Sequence, residues 1–123
     1  ELVDFISIDV AFISLDKVLP VATTLLKDTG SLVALIKPQF EAGKENVGKG
    51  GIVRDSVIHK EVLHRILQVA YDCGLYIHGL TFSPIKGMEG NIEFLGYFKK
   101  YEEGALTIND ELIDAVVTEA HSL

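Results

Sequence analysis

The chain has 123 residues with 11 basic and 18 acidic side chains, a formal net charge of -7, and 48% hydrophobic residues against 3 prolines. That length carries one domain or part of one, and the composition excludes disorder over most of it. A free-standing nucleic-acid binder usually carries the opposite sign, so any RNA contact would have to come from a local basic patch or a separate module.

In chain order, residues 4–10 form an apolar β candidate that delivers Asp9 and Val10 at its carboxyl end. The chain enters this pattern within its first residues and without a cap, as a truncated N-terminus would. Ser14 offers an N-cap to a helix with apolar positions Leu15, Val18, Leu19, Ala22, Leu25 and Leu26. Pro20 is expected to split that helix, which should stop near residues 28–30. A buried parallel strand follows over 31–37 and ends in Lys37. Residues 38–54, with Gly43, Gly48, Gly50 and Gly51 among Lys44, Lys49 and Arg54, read as a long mobile loop. Asp55 or Ser56 caps the next helix, which ends at Gly74 and carries the lone Cys73. Strands over 75–82 and 91–98 come next, joined by a turn-rich connection that includes Lys86. No helix fits between these two strands, so they should pair antiparallel. Residues 99–104 read as a solvated connection, and Asn109 opens a tail helix.

No apolar run reaches the roughly 18 residues of a membrane helix, and no basic-then-apolar leader opens the chain. A single cysteine cannot form an internal disulfide. Together these features suggest a soluble, cytoplasmic protein without a membrane segment.

The chemistry follows from direction of travel. Parallel strands ending in Asp9 and Lys37 bring both side chains to the carboxyl edge of the sheet, where open α/β folds build their sites. If the strand over 91–98 runs antiparallel beside 31–37, its start lies at that edge and Glu93 sits beside Lys37. With strands about 4.8 Å apart, the three side chains fall within roughly 10 Å. A lysine between two acids is also a common structural ion-pair arrangement. Glu93, on an apolar strand, must be paired or neutral.

Other motifs carry less. Residues 43–50 imitate a phosphate-binding loop, but Gly50 stands where a magnesium-holding Ser or Thr is required. His59 and His64 lack metal-ligand spacing and read as surface residues. Ser14 and Ser83 lack a nucleophile elbow, and Tyr76, Phe82 and Phe94 read as core.

Four segments taken together, residues 8–15, 33–41, 47–55 and 90–94, closely resemble the TlyA family, bacterial proteins often labelled hemolysins that look like FtsJ-type rRNA 2'-O-methyltransferases. The resemblance covers about residues 4–98. It implies an α/β fold: the C-terminal half of a Rossmann-like class I methyltransferase, sheet order 4-5-7-6 with the last strand antiparallel and helices on both faces. It also implies that an S4 RNA-binding domain and the cofactor-binding half precede residue 1. Asp9, Lys37 and Glu93 resemble the last three members of the family's Lys-Asp-Lys-Glu tetrad. Asp9 and Val10 would contact S-adenosylmethionine, while Lys44, Lys49, Arg54 and Lys86 are candidate phosphate contacts for ribosomal RNA or ribosomal subunits. Ala11 departs from the serine more usual in the family. The expected activity belongs to the longer protein, this chain alone being inactive and prone to self-association through a bare strand edge. The alternative is a non-catalytic RNA-binding or hemolysin-like interaction protein that keeps a degenerate methyltransferase shell.

Overall fold

A computed structural model describes residues 1–48, 50–86 and 90–122, and they build a mixed α/β fold on one four-stranded, mostly antiparallel sheet. The elements are β1 (Val3–Ile8), α1 (Leu15–Leu25), β2 (Leu26–Ile36), α2 (Pro38–Glu41), a single 3-10 turn at Lys44–Asn46, α3 (Ser56–Asp72), β3 (Tyr76–Phe82), β4 (Phe94–Lys99) and α4 (Asp110–His121).

Each long helix starts where a side chain can serve an orphan backbone N–H. Ser14 accepts from Asp16 N, Asp55 from Val57 N and Asn109 from Leu112 N. α1 does not break at Pro20 as expected. It runs through the proline to Leu25, with Pro20 on the exposed side of the helix. Nor does the helix reach residues 28–30, since β2 begins at Leu26. With no basic residue in its last turn, α1 receives Lys100 from beyond β4, whose Nζ donates to the carbonyls of Thr23 at 2.9 Å and Leu26 at 2.8 Å. Lys100 is therefore a helix-end partner rather than part of a solvated connection. Gly74 ends α3 in the left-handed region at φ 88°, as its sequence position suggests.

The strand order is β1-β2-β4-β3. β1 and β2 are parallel with Ile8 level with Ala34, and β4 is antiparallel to both neighbours. In β2, Leu32, Ala34 and Ile36 are fully buried while Val33 and Leu35 between them are half-buried, and β4 alternates with Phe94 and Phe98 inward. The inward set joins Leu15 and Leu19 of α1, Leu63 and Ile66 of α3, and Ile113 and Val117 of α4 in one core.

The expectation of helices on both faces is corrected here. Among the described residues the three long helices line up on one face, α3 between α1 and α4. Both crossovers, β1-α1-β2 and β2-α3-β3, advance in the same direction across the sheet, and right-handed connections that advance the same way cover the same face. The opposite face keeps Phe5 56% exposed, with Val33, Leu35 and Leu95 half-buried and Tyr97 exposed. β1 forms one edge of the sheet, with no strand beyond it among the described residues. No described helix is long and apolar enough to cross a membrane.

His59 also departs from expectation: it is fully buried in α3. Its Nε2–H donates to the Val53 carbonyl at 2.8 Å, which leaves Nδ1 to accept from His121 Nε2 at 2.8 Å. Its ring also meets Phe94 edge-on at 5.6 Å. Burial pushes the imidazole below its ordinary value, the Val53 bond opposes that, His121 adds to it and Asp55 opposes it. The folded chain thus favours the neutral ring. Its contribution to stability is complete above the unfolded value of about 6.5 and is lost as pH falls from there through the lower folded value. Thermal unfolding should therefore show the midpoint dropping between about pH 7 and pH 5. His59→Gln should flatten that decline, and an equal slope in the variant would assign it elsewhere.

Candidate active site

Asp9 and Lys37 follow directly on the last residues of two adjacent parallel strands, and the sheet's alternation puts them on its half-open side, after Ser7 and Leu35. Lys37 Nζ lies 2.5 Å from Asp9 Oδ1, the lysine side chain 16% exposed and the aspartate 62% exposed. Extending the register in which Ile36 faces Phe94 sets Glu93 across from Lys37. Glu93 is buried, yet among the described residues no ion pair joins it to Lys37. Its carboxylate accepts from Gln39 Nε2 at 2.9 Å, and its carbonyl accepts from Ser83 N at 2.8 Å. The three acids and bases therefore sit at one edge as two pairs, Lys37 with Asp9 and Gln39 with Glu93.

The short helix α2 makes this arrangement. Pro38 at its first position fixes the backbone for a turn, and the residues around it fan out. Lys37 goes to Asp9, Gln39 to Glu93, and the Phe40 ring lies 4.7 Å from Phe12. Glu41 accepts from Ser14 Oγ at 2.5 Å, from Leu15 N at 2.8 Å and from Arg65 Nη2 at 2.8 Å. Gln39 Oε1 is buried without a hydrogen-bond partner.

Sequence reasoning assigned no role to three of these residues, although the resembling segments 8–15 and 33–41 contain them. Gln39 and Glu41 look like ordinary loop polar residues until their partners, 54 and 27 positions away, are known. Phe12 is 81% exposed and holds φ at 63°, a conformation an aromatic residue seldom adopts. Such strain gathers at functional sites.

The segment 38–54, expected as a long mobile loop, is largely tied down. It contains α2 and the 3-10 turn, and Asn91 accepts from Val53 N and donates to the Gly51 carbonyl, each at 2.9 Å. Arg54 and Lys86 share a pocket of about 410 Å³ with His121. Lys44 begins the 3-10 turn and does not line that pocket. Lys49 lies outside the described residues. Among the described residues Lys44, Arg54 and Lys86 are exposed and take part in no ion pair, and no cluster of side chains could hold a metal ion.

For a cofactor bearing an ammonium group, Asp9 fits. Lys37 takes only Oδ1, and no described residue hydrogen-bonds Oδ2. Val10 beside it is half-buried against the core and offers an apolar flank.

A parallel β-α-β unit that brings an aspartate and a lysine to one sheet edge defines an α/β protein with a charged site at its strand ends. Residues 1–100 match the FtsJ-like methyltransferase family, and the chain belongs to it. Among relatives, the chain is 49% identical over 120 residues to YqxC of Bacillus subtilis, named as a candidate rRNA methyltransferase, covering 96% of this chain and 43% of that protein. It is 43% identical over 98 residues to Hemolysin A of Brachyspira hyodysenteriae, covering 80% and 41%. Against the 16S/23S rRNA (cytidine-2'-O)-methyltransferase TlyA of Mycobacterium tuberculosis it is 35% identical over 114 residues, covering 93% and 42%. A solved chain from Streptococcus thermophilus, named as a candidate hemolysin, superposes with a TM-score of 0.88 at 48% identity, covering 97% of this chain and 42% of that one. The chain thus spans under half the length of these relatives.

Proposed function

We propose that this chain is the C-terminal part of a Rossmann-like methyltransferase domain, in a longer cytoplasmic protein that transfers a methyl group to ribose 2'-hydroxyls of ribosomal RNA. On this reading the order β1-β2-β4-β3 corresponds to strands 4-5-7-6 of the complete sheet. The half-open face and the free β1 edge are where the rest of the domain would pack. The 123-residue chain alone would lack most of the cofactor pocket, be inactive and self-associate through that edge.

The observation that carries the reading is the Lys37–Asp9 pair at the carboxyl ends of two parallel strands. A ribose hydroxyl is a weak nucleophile at neutral pH, so methyl transfer needs help as the proton leaves oxygen. Lys37 is suited to either of two tasks, taking the hydroxyl proton as a neutral amine or, as an ammonium, donating to the developing alkoxide while the proton passes to water. Asp9 fixes the direction from which the amine is offered. Glu93, held by Gln39, forms the opposite wall across the same strand end. S-adenosylmethionine, held in part by Asp9 and Val10, would supply the methyl group as a sulfonium electrophile. The exposed Phe12 ring offers a stacking surface for an unpaired base. Arg54 and Lys86, with Lys44 and Lys49, would meet phosphates in a chain whose net charge is otherwise repulsive.

The test is methyl transfer from labelled S-adenosylmethionine to purified ribosomal subunits by the full-length protein, with the modified position mapped and its ribose checked for resistance to alkaline cleavage. Label found on bases instead of ribose would overturn the 2'-hydroxyl assignment. Failure of the full-length protein to bind S-adenosylmethionine at all would favour the non-catalytic alternative.

A further inference from the structure

We propose that Glu41 is a positioning residue that holds the turn after Asp9 and the turn after Lys37 at a fixed separation, an inference that rests on the methyl-transfer reading above. Its side chain is only 2% exposed. A carboxylate that far from water must be fully met by donors, and three reach it. Ser14 Oγ–H donates to Oε1 at 2.5 Å, Leu15 N–H to Oε2 at 2.8 Å, and Arg65 Nη2 to Oε1 at 2.8 Å. The same Arg65 nitrogen also donates to the Glu41 carbonyl at 2.8 Å, so both the backbone and the side chain of α2 are clamped to α3.

The placement of these donors is what gives Glu41 its role. Ser14 and Leu15 open α1, at the far end of the turn that begins at Asp9, while Glu41 closes α2, at the far end of the turn that begins at Lys37. The β1–β2 ladder stops at the pairing of Ile8 with Ala34, so it does not hold the two turns together. Beyond the ladder they are joined by the Lys37–Asp9 pair itself, by the Phe12–Phe40 ring contact and by Glu41. Helix capping is only part of what Glu41 does: its Oε2 accepts from the first N–H of α1, that of Leu15, beside the Ser14 cap on Asp16 N, while its Oε1 reaches Ser14 Oγ and Arg65. Glu41 touches neither Asp9 nor Lys37, so it acts through the backbone that carries them.

The test is Glu41→Gln in the full-length protein, a change of charge with almost no change of shape. We expect kcat to fall by about tenfold to a hundredfold with KM for ribosomal subunits within about twofold, because a displacement of an ångström at the reacting groups costs rate more than binding. The Lys37 amine, 16% exposed and paired, should also become several-fold more reactive toward an acylating reagent, as mapped by mass spectrometry. Unchanged kcat with unchanged Lys37 labelling, or a defect confined to KM, would overturn the proposal. Should Glu41→Gln fail to fold, Ser14→Ala and Arg65→Met each remove one donor and must give the same split in smaller measure. Wild-type behaviour of both in kcat and labelling overturns it equally. The labelling arm needs no turnover, so it still decides the role of Glu41 if the wild-type protein proves not to transfer methyl groups.

Discussion

On the proposed function, Lys37→Ala should abolish most methyl transfer by the full-length protein and leave it folded. Removing one preorganised donor from a developing oxyanion costs about 10²–10³ in kcat, and nothing else in the described site replaces Lys37 at that position. The stability cost is small by comparison. Asp9 is 62% exposed and becomes solvated once its partner is gone, and ion pairs of that exposure contribute about 0–1 kcal/mol. The two effects therefore separate cleanly in a measurement of incorporated methyl label beside a thermal melt. Wild-type incorporation in the variant would end the assignment of Lys37. A collapse of the melt would mean that the lysine serves the fold instead.

Phe94→Ala acts in the opposite sense, on stability first. Phe94 is fully buried, faces Ile36 on β2 and Phe82 on β3, and carries the His59 ring against its edge. Truncating such a ring costs about 3–5 kcal/mol through lost burial and the cavity left behind. Against a total of about 5–15 kcal/mol for an ordinary domain, that is a large fraction of the whole. Urea titration should show the midpoint falling accordingly. A loss under about 1 kcal/mol would mean that neighbouring side chains collapse into the space.

Local signals in this chain were faithful where local chemistry decides the outcome. Ser14, Asp55 and Asn109 are legible as caps because an N-cap needs only its own side chain and the next turn of backbone. The antiparallel hairpin of β3 and β4 followed from the lack of room for a helix between them. Pro20 misled because its effect depends on whether the missing bond faces solvent, and that is a property of packing. His59 misled for the same reason: its five-residue separation from His64 said nothing of which ring turns inward.

At the site, the strand ends carrying Asp9 and Lys37 were readable from the direction of two parallel strands. The partner of Glu93 was not. The edge register pointed to Lys37, but the buried carboxylate is met by Gln39, two residues further into the turn. Sequence patterns place backbones at an edge; they do not decide between two donors a few ångströms apart.

The fan of contacts made by α2 carries an evolutionary consequence. Lys37, Gln39, Phe40 and Glu41 reach four different parts of the molecule from one turn of backbone. Each single side chain there can be exchanged at the expense of one contact. Adding or deleting a residue instead rotates everything after it by about 100°, which breaks several contacts at once. Descendants of this sequence should vary in residue type along the turn long before they vary in its length.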